Sequence, residues 1–254
     1  MRIYYPQLTS FKDTQVEFQL EGKAAHHILT VLRRKAGDTL ILFDGQNNEY
    51  STLITQIDKK RLWVRLIDSQ TINRESALNI HLIQGISKGE RMDWVVQKAT
   101  ELGVSCITPV HTQHGAVSLN NERTLKKQEH WENIIISACE QCGRNSLPLL
   151  NPIQSFSDML SCTKKAENEA YWILHPENEN KSPLHPLYKG GRRGNFSAIH
   201  LLIGPEGGFS TSEVMQANKA GFEPIQFGPR ILRTETAAIA VIAALQTLLG
   251  DSPL

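Results

Sequence analysis

The sequence lacks the compositional marks of several large protein classes. Of its 254 residues only 7% are aromatic and four are cysteines, and the formal net charge at pH 7 is +1. A charge so close to zero excludes a generally basic nucleic-acid coat protein, although it averages over local clusters. Four cysteines with no signal-peptide pattern before them fit free thiols in a reducing compartment. The composition therefore predicts a cytoplasmic globular protein without disulfides.

Three kinds of motif are also missing. The longest apolar run near the C-terminus, Ala237 to Leu245, is too short to cross a bilayer, so no membrane role is predicted. Cys139 and Cys142 form a lone Cys-X-X-Cys pair with no second pair beside it. The nine histidines are scattered, and none lies in an HExxH or Ser-His-Asp pattern. We therefore expect no metal site.

Hydrophobic patterning divides the chain into two domains. The stretch "TLILFDGQNNEYSTLITQI" alternates partly, breaks at Asp44-Gly45 and resumes, as a β-hairpin would, and "RLWVRLI" repeats the pattern. Residues 1–70 are predicted to form a small β domain, and the polar residues 71–78 a linker. From residue 79 onwards the pattern changes to alternating strands and helices. Strands are predicted in "LNIHLIQGI", "CITPV", "AYWILHP", "AIHLLIG" and "EPIQFG", and two of the helices at about 92–102 and 122–142. This alternation predicts an α/β domain with a largely parallel sheet.

A glycine-rich loop follows one of the predicted strands, in "LLIGPEGGFSTSE". Glycines let a ligand approach the backbone closely, and Ser210 and Glu213 have the spacing of a helix capping box. The loop matches neither GxGxxG nor a P-loop, which disfavours a phosphate site. Taken alone it indicates either a ligand loop or a tight strand-to-helix turn.

The segment "FGPRILRTETAAIAVIAAL" contains a second candidate loop. Gly228-Pro229 indicates a sharp turn, and residues 234–236 can cap a helix that is apolar on nearly every face. Arg230 and Arg233 lie between two buried elements and need partners or an anionic ligand. Upstream, Lys88, Arg91 and Lys98 predict a basic helix, for which surface ion pairs are the alternative explanation.

Five stretches, taken in order along the chain, resemble the RsmE-type 16S ribosomal RNA uridine N3-methyltransferases of the SPOUT class. They are "HHILTVLRRKAGDTLILFDGQNNEY", "KGERMDWVVQKATELGV", "ACEQCGR", "IGPEGGFS" and "FGPRILRTETA". The resemblance implies a PUA-like β-barrel that binds RNA and a C-terminal methyltransferase domain with a deep trefoil knot. It also implies a homodimer whose active sites draw on both subunits. The implied substrate is one uridine (uridine 1498 in the standard numbering) of 16S rRNA in the assembled small ribosomal subunit. The implied cofactor is S-adenosylmethionine, which carries no phosphate.

The resemblance also assigns site residues. Cofactor contacts are expected from Leu174, His175, Gly204, Pro205, Gly207, Phe227, Gly228, Ile231 and Leu232. The family more usually has Leu where this chain has Phe227, and Ser where it has Cys142. RNA phosphate contacts are expected from Arg2, Arg33, Arg34 and Lys35, possible extensions being Lys88 and Arg91.

Transfer to N3 requires removal of a proton and stabilisation of negative charge on the uracil. Arg233 and Arg144 are the candidates for charge stabilisation, and Glu140 or Glu206 for the base. Alternatively, Glu206 only bonds neighbouring backbone N–H groups. Three other functions stay open: a dinucleotide-dependent oxidoreductase, a non-catalytic RNA-binding protein, and a methyltransferase acting on another base or on a ribose hydroxyl.

Overall fold

Two sheets organise the part of the chain that the structure describes. A computed structural model describes residues 1–8, 16–59, 61–115, 121–175 and 196–251. The contacts group them into a first unit, Met1–Glu75 with Ile136–Leu147, and a second unit, Ser76–Ile135 with Pro148–Leu254. The first unit thus takes in a short segment from the middle of the chain in addition to the predicted β domain.

The first unit contains a five-stranded sheet. Its strands are β1 (Arg2–Tyr4), β2 (Glu17–Leu20), β3 (Thr39–Phe43), β4 (Asn48–Asp58) and β5 (Arg61–Thr71), in the order β1-β3-β4-β5-β2. β3 and β4 pair antiparallel on either side of Asp44-Gly45, which confirms the predicted hairpin, whereas β1 and β3 are parallel. The inward-facing side chains alternate along the strands, and Leu40, Leu42, Ile54 and Val64 are almost fully buried.

A short helix in the first unit was not predicted. Helix α1 (Gly22–His26) continues into a π-helical turn at His27–Val31. Ala25 and Ile28 are buried against the sheet core, because they lie on one face of this short helical segment. The small domain, predicted to be mostly β, thus also contains one short helical segment.

The second unit contains a seven-stranded sheet in which every strand pairing among the described residues is parallel. Its strands are β6 (Asn79–Gly85), β7 (Cys106–His111), β8 (Leu149–Leu150), β9 (Gln154–Ser155), β10 (Glu169–Leu174), β11 (Ala198–Ile203) and β12 (Glu223–Ile225). The order is β12-β10-β11-β6-β7-β8, and β9 also pairs with β7. The predicted parallel sheet is confirmed.

After β6 the described residues form five helices, of which the first four connect successive strands and the last follows β12. They are α2 (Arg91–Glu101), α3 (Asn121–Cys142), α4 (Phe156–Cys162), α5 (Thr211–Lys219) and α6 (Thr234–Leu249). The central strand β11 ends in three apolar residues, Leu201, Leu202 and Ile203, which are all buried because a parallel sheet is covered on both faces. The strand order reverses between β6 and β11, and the carboxyl edge at such a reversal is where open α/β sheets bind ligands.

Helix α6 begins differently from the prediction. Its N-cap residue is Arg233, without a side-chain cap, and Thr234 is the first helical residue. The Thr234 hydroxyl instead donates to the Gly204 carbonyl at 2.7 Å. The predicted capping by residues 234–236 is therefore wrong, because a tertiary hydrogen bond uses the hydroxyl that local capping would need.

Candidate active site

A cavity of about 560 Å³ opens at the carboxyl edge of the parallel sheet. Its walls are the end of β10, the glycine loop 204–208 after β11, and the loop 226–233 that leads from β12 into α6. All of these elements belong to the second unit. The volume lies within the range of sites that enclose a small organic ligand, about 300–1,000 Å³.

The glycine loop is shaped by close packing that excludes larger side chains. A Cβ at Gly85, the last residue of β6, would lie 2.6 Å from the Pro205 ring. A Cβ at Gly207 would lie 2.7 Å from the Cβ of His114. Gly208 has φ +68, a conformation that side chains rarely adopt. Gly85, Gly207 and Gly208 therefore let the loop pack closely against its neighbours.

Helix α5 starts directly after this loop with the predicted capping box. Ser210 Oγ accepts from the Glu213 N–H, and Glu213 in turn accepts from the Ser210 N–H at 2.8 Å. The other Glu213 oxygen accepts from the Gln113 N–H at 2.8 Å. The capping box thus fixes both the start of α5 and the segment after β7.

A buried hydrogen-bond chain joins the two loops. Gln84 Nε2 donates to Thr234 Oγ1 at 2.9 Å, and Thr234 donates to the Gly204 carbonyl. Sequence reasoning missed Gln84, although a polar residue inside the apolar strand "LNIHLIQG" was a usable signal, since buried polar groups are uncommon. The chain fixes the end of β11 relative to the start of α6.

Eight of the nine residues predicted to contact the cofactor line this cavity. They are Leu174, His175, Gly204, Pro205, Gly207, Phe227, Ile231 and Leu232. Gly228 is not among the lining residues but forms the turn of the second loop, with φ +70. The backbone N–H of His175 is used to pair with Ile225, which holds β10 and β12 together at the cavity wall.

Two exposed arginines and an exposed isoleucine border the cavity. Arg230 and Arg233 both line it, and both are solvent-exposed. Ile231 between them is 86% exposed, which is unusual for a large aliphatic side chain. The loop therefore offers positive charge and an apolar contact surface at the cavity mouth.

Glu206 lies in the glycine loop and is bonded to residues at the start of α2. Its carboxylate accepts from the Arg91 guanidinium at 2.6 Å and from the Lys88 N–H at 3.1 Å. Burial raises the pKa of Glu206, but hydrogen bonds from its own N–H, from Arg91 and from Lys88 outweigh burial and bring the pKa below its ordinary value. The arrangement matches the alternative in which Glu206 bonds neighbouring N–H groups.

Glu140 and Arg144 belong to the first unit, at the end of α3 and just beyond it. Glu140 accepts from the Tyr4 N–H at 3.0 Å. Burial raises its pKa, and the Tyr4 hydrogen bond and the nearby His27 and Arg2 offset only part of the rise. The buried Arg144 guanidinium forms an ion pair with Glu75. Arg144 thus has an internal partner that the sequence did not indicate.

The residues predicted to contact RNA differ in whether their charged groups have acidic partners and in how exposed they are to solvent. Arg2 is mostly buried and donates to Glu49, at 2.7 Å, and to Asn145. An RNA phosphate would have to compete with these partners for Arg2. Arg34 lies 3.9 Å from Asp38, whereas Arg33 and Lys35 are exposed. Lys88 and Arg91 are also exposed, and Arg91 lines the cavity.

A second polar cavity, of about 390 Å³, is lined by residues of the parallel strands and by residues of α4 and the segment that follows it. His81 Nδ1 lies 3.0 Å from His200 Nδ1, and His200 Nε2 lies 3.0 Å from Glu169. With both imidazoles neutral, His200 donates to the carboxylate and accepts from His81, which accepts in turn from Thr108. Burial, and then His200, lower the pKa of His81 to about 4. The network satisfies its own hydrogen bonds, and across the described ranges no group of three or more His, Cys, Asp or Glu side chains is placed to hold a metal ion.

All four cysteines are free thiols, as predicted. Among the helices that the structure describes, none is long and apolar enough to span a membrane.

Comparison with known proteins identifies the family. Residues 74–246 match the model of an RNA methyltransferase domain, and residues 20–67 match that of an RNA methyltransferase PUA domain. The ribosomal RNA small subunit methyltransferase E of Buchnera aphidicola (subspecies Schizaphis graminum) is 39% identical over 237 residues, 91% of each chain. That of Bacillus subtilis is 28% identical over 99% of this chain and the whole of its own.

Solved structures of similar proteins support the same family assignment. A protein from Legionella pneumophila, in complex with the bound cofactor SAM, has a TM-score of 0.88 and 41% identity over 98% of both chains. The ribosomal RNA small subunit methyltransferase E of Neisseria gonorrhoeae, bound to S-adenosyl methionine, has a TM-score of 0.85 and 37% identity over 99% of both. The chain therefore belongs to the ribosomal RNA small subunit methyltransferase E family, with an RNA methyltransferase domain that follows a PUA domain.

Proposed function

We propose that this protein methylates N3 of a single uridine of 16S rRNA, in the assembled small ribosomal subunit, with S-adenosylmethionine as the methyl donor. The observation that carries the proposal is the cavity at the carboxyl edge of the sheet, which brings the glycine loop and the 226–233 loop together in a member of an RNA methyltransferase family. The cofactor supplies an electrophilic methyl group when it is bound.

The residues present fit that cofactor. The glycine loop contributes backbone to the cavity wall, which an adenine can approach closely, and Leu174, Phe227 and Ile231 offer apolar contacts. Phe227 in place of the usual Leu adds aromatic surface to the wall without removing any polar group. No Lys-Ser/Thr pair follows the glycines, which suits a ligand without phosphate.

The chain must also hold the acceptor base and take its N3 proton. Arg233, exposed at the cavity mouth, is suited to stabilise the negative charge that develops on the uracil oxygens. Of the two carboxylates that the resemblance offers as the base, Glu140 has a raised pKa and Glu206 a lowered one, so Glu140 is the stronger base at neutral pH and stays the preferred candidate. Arg144 remains a candidate for charge stabilisation, although its pair with Glu75 favours a structural role.

A homodimer and a deep trefoil knot complete the proposal. In support of the dimer, α6 buries one face, including Ala238 and Val241, while apolar residues on its other side, such as Ile239, are only half-buried. The 86% exposure of Ile231 also suits a contact that a single chain does not provide. Support for the knot comes from the family and from the position of β11 and β12 on opposite sides of β10, so that their connection must pass β10.

For the RNA, we propose that Arg33, Lys35 and Lys88 contact phosphates, as do Arg34 and Arg91, whose ion pairs are exposed; the mostly buried Arg2 is a weaker candidate. Phosphate contacts position a substrate without reading its sequence. The small net charge favours a pre-shaped target over free RNA. A ribosomal substrate and four free thiols fit the cytoplasm.

The test supplies labelled S-adenosylmethionine and small ribosomal subunits that lack the methyl group, and then maps the label by nuclease digestion and mass spectrometry. We expect label on one uridine N3 and none when deproteinised RNA replaces the subunits. Label on another base or on a ribose would refute the assigned acceptor. Thermal stabilisation by NAD, without stabilisation by S-adenosylmethionine, would support an oxidoreductase instead.

A further inference from the structure

Helix α2 presents an exposed indole between two cations on one face. Arg91, Trp94 and Lys98 recur at intervals of three and four residues, which places them on the same side of the helix. The opposite side, with Met92, Val95, Val96, Ala99 and Thr100, is buried. Trp94 is 52% exposed, whereas Trp131 and Trp172 are 1% and 2% exposed. We call Arg91, Trp94 and Lys98 the α2 stripe.

The α2 stripe starts at the cavity described above, because Arg91 is one of the residues that line it. From Arg91 to Lys98 the helix rises by about 10 Å, close to the length of three stacked nucleotides at about 3.4 Å each. A strand that entered the cavity could therefore continue along the stripe for a few nucleotides.

The two cations of the stripe, Arg91 and Lys98, each form an ion pair that is exposed to solvent. Arg91 pairs with Glu206 at 2.6 Å and Lys98 with Glu101 at 2.8 Å, and all four side chains are partly solvent-exposed. Such exposed pairs contribute little stability and are screened by salt, so an RNA phosphate can compete for the cations. The Lys98 ammonium also lies 6.0 Å from the centre of the Trp94 ring, which keeps positive charge next to the indole.

We propose that Trp94 stacks on a base of the RNA substrate that neighbours the methylated nucleotide, while Arg91 and Lys98 contact the adjoining phosphates. The inference rests on the proposed function and adds a specific RNA contact to it. Uridine N3 lies on the Watson–Crick edge, so the acceptor must be unpaired and moved out of its stack before the methyl group can reach it. The neighbouring base then loses a stacking partner. An exposed tryptophan beside cations can take that partner's place, as aromatic side chains do in proteins that bind single-stranded nucleic acids.

The experiment compares wild type with Trp94→Ala, Trp94→Phe and Met215→Ala. Met215, on α5 of the same unit, is 55% exposed and serves as the control for loss of an exposed apolar side chain. For each protein we would measure KM and kcat for methyl transfer to small subunits, S-adenosylmethionine affinity by calorimetry, affinity for a short single-stranded RNA by fluorescence anisotropy, and particle mass by sedimentation.

We expect Trp94→Ala to raise the KM for subunits and the Kd for single-stranded RNA about tenfold, since loss of one stacked base typically costs about 5- to 150-fold. Cofactor affinity should stay unchanged, Trp94→Phe should recover most of the loss, and Met215→Ala should match wild type. Unchanged KM and Kd in Trp94→Ala would overturn the inference, as would a change in particle mass, which would assign Trp94 to a contact with a second copy of the chain. If wild type transfers no methyl group, the proposed function fails, and the RNA affinities alone still decide whether Trp94 stacks.

Discussion

The Glu206 carboxylate accepts one hydrogen bond from the Arg91 guanidinium, at 2.6 Å, and another from the Lys88 N–H, at 3.1 Å. One side chain thereby ties the glycine loop to the first turn of α2. A carboxylate with two donors and a lowered pKa is a poor proton acceptor. We therefore propose that Glu206 positions the loop, and this role can be separated experimentally from that of a base.

Glu206→Gln should leave kcat within about threefold of wild type and weaken cofactor binding by less than about tenfold, because an exposed ion pair contributes at most about 1 kcal/mol. Glu140→Gln should lower kcat by about 10²- to 10⁴-fold, the usual contribution of a general base. Steady-state kinetics and calorimetry on the two variants check both values. A large loss of kcat in Glu206→Gln, with Glu140→Gln still active, would reverse the two assignments.

Arg233→Ala should lower kcat about 10²- to 10³-fold, the typical effect of removing a group that stabilises transition-state charge. Cofactor affinity, measured by calorimetry, should change little. Arg230→Ala is the matched control, since Arg230 lines the same cavity and is also exposed. Equal kinetics in Arg233→Ala and wild type would remove Arg233 from the chemistry.

Gly85→Ala should weaken cofactor binding and destabilise the protein by about 1–3 kcal/mol, as overpacking does. The added methyl would lie 2.6 Å from Pro205 Cδ and 2.8 Å from its backbone nitrogen, so the glycine loop must move. Denaturant unfolding and calorimetry with S-adenosylmethionine provide the two measurements.

Gly37→Ala is the control for that variant. Gly37 has φ +92 and no atom within 4 Å of an added Cβ, so alanine strains the backbone by about 1–2 kcal/mol without touching the cavity. Its cofactor affinity should equal that of wild type. If Gly85→Ala also bound the cofactor normally, close packing of Gly85 on Pro205 would not control the site.

Glu49 should make the stability of the first unit vary with pH in the acid range. Burial raises the pKa of Glu49, but hydrogen bonds from Arg74, Asn145 and Arg2 outweigh burial and lower it to about 2. Because the folded pKa lies below the ordinary value, the stabilisation is complete above pH of about 5 and is lost as pH falls towards 2. Within that window the slope should approach about 1.4 kcal/mol per pH unit.

Glu49→Gln should remove this slope, as followed by denaturant unfolding at a series of pH values. Glu122→Gln, at an exposed pair with Lys126, should retain it. An identical pH dependence in Glu49→Gln and wild type would show that the network around Glu49 carries no net stabilisation.

Much of the fold could be predicted from local patterns. The largely apolar runs of β6, β10 and β11 reflect burial of a strand, and the helical spacing in α2 reflects burial of one helix face, so the sequence reports both directly. Strands β8 and β9 have two residues each and helix α4 has seven, which is too short for a periodic pattern. These elements depend on tertiary contacts.

The candidate site was predictable in part, for a similar reason. The glycine loop and its capping box are local, whereas the pairs of Arg2 with Glu49 and of Arg144 with Glu75 join residues 47 and 69 positions apart. No spacing rule connects such residues, so the sequence left both arginines available for RNA or for catalysis. The close approach of Gly85 to Pro205 was hidden because it depends on how two strands meet.

The first unit contains the short segment Ile136–Leu147, so some of its hydrogen bonds require residues that are synthesised long after its sheet. Asn145 accepts from Arg2 and donates to Glu49 at 3.0 Å, and its carbonyl accepts from the Asn47 N–H. A nascent chain that has emerged only as far as residue 75 cannot form any of these bonds. These hydrogen bonds must wait for about seventy more residues to leave the ribosome, roughly four to fourteen seconds at usual synthesis rates. During that interval the carboxylate of Glu49 and the guanidinium of Arg2 lack one of their partners, and a fragment that ends at residue 75 would lack it permanently.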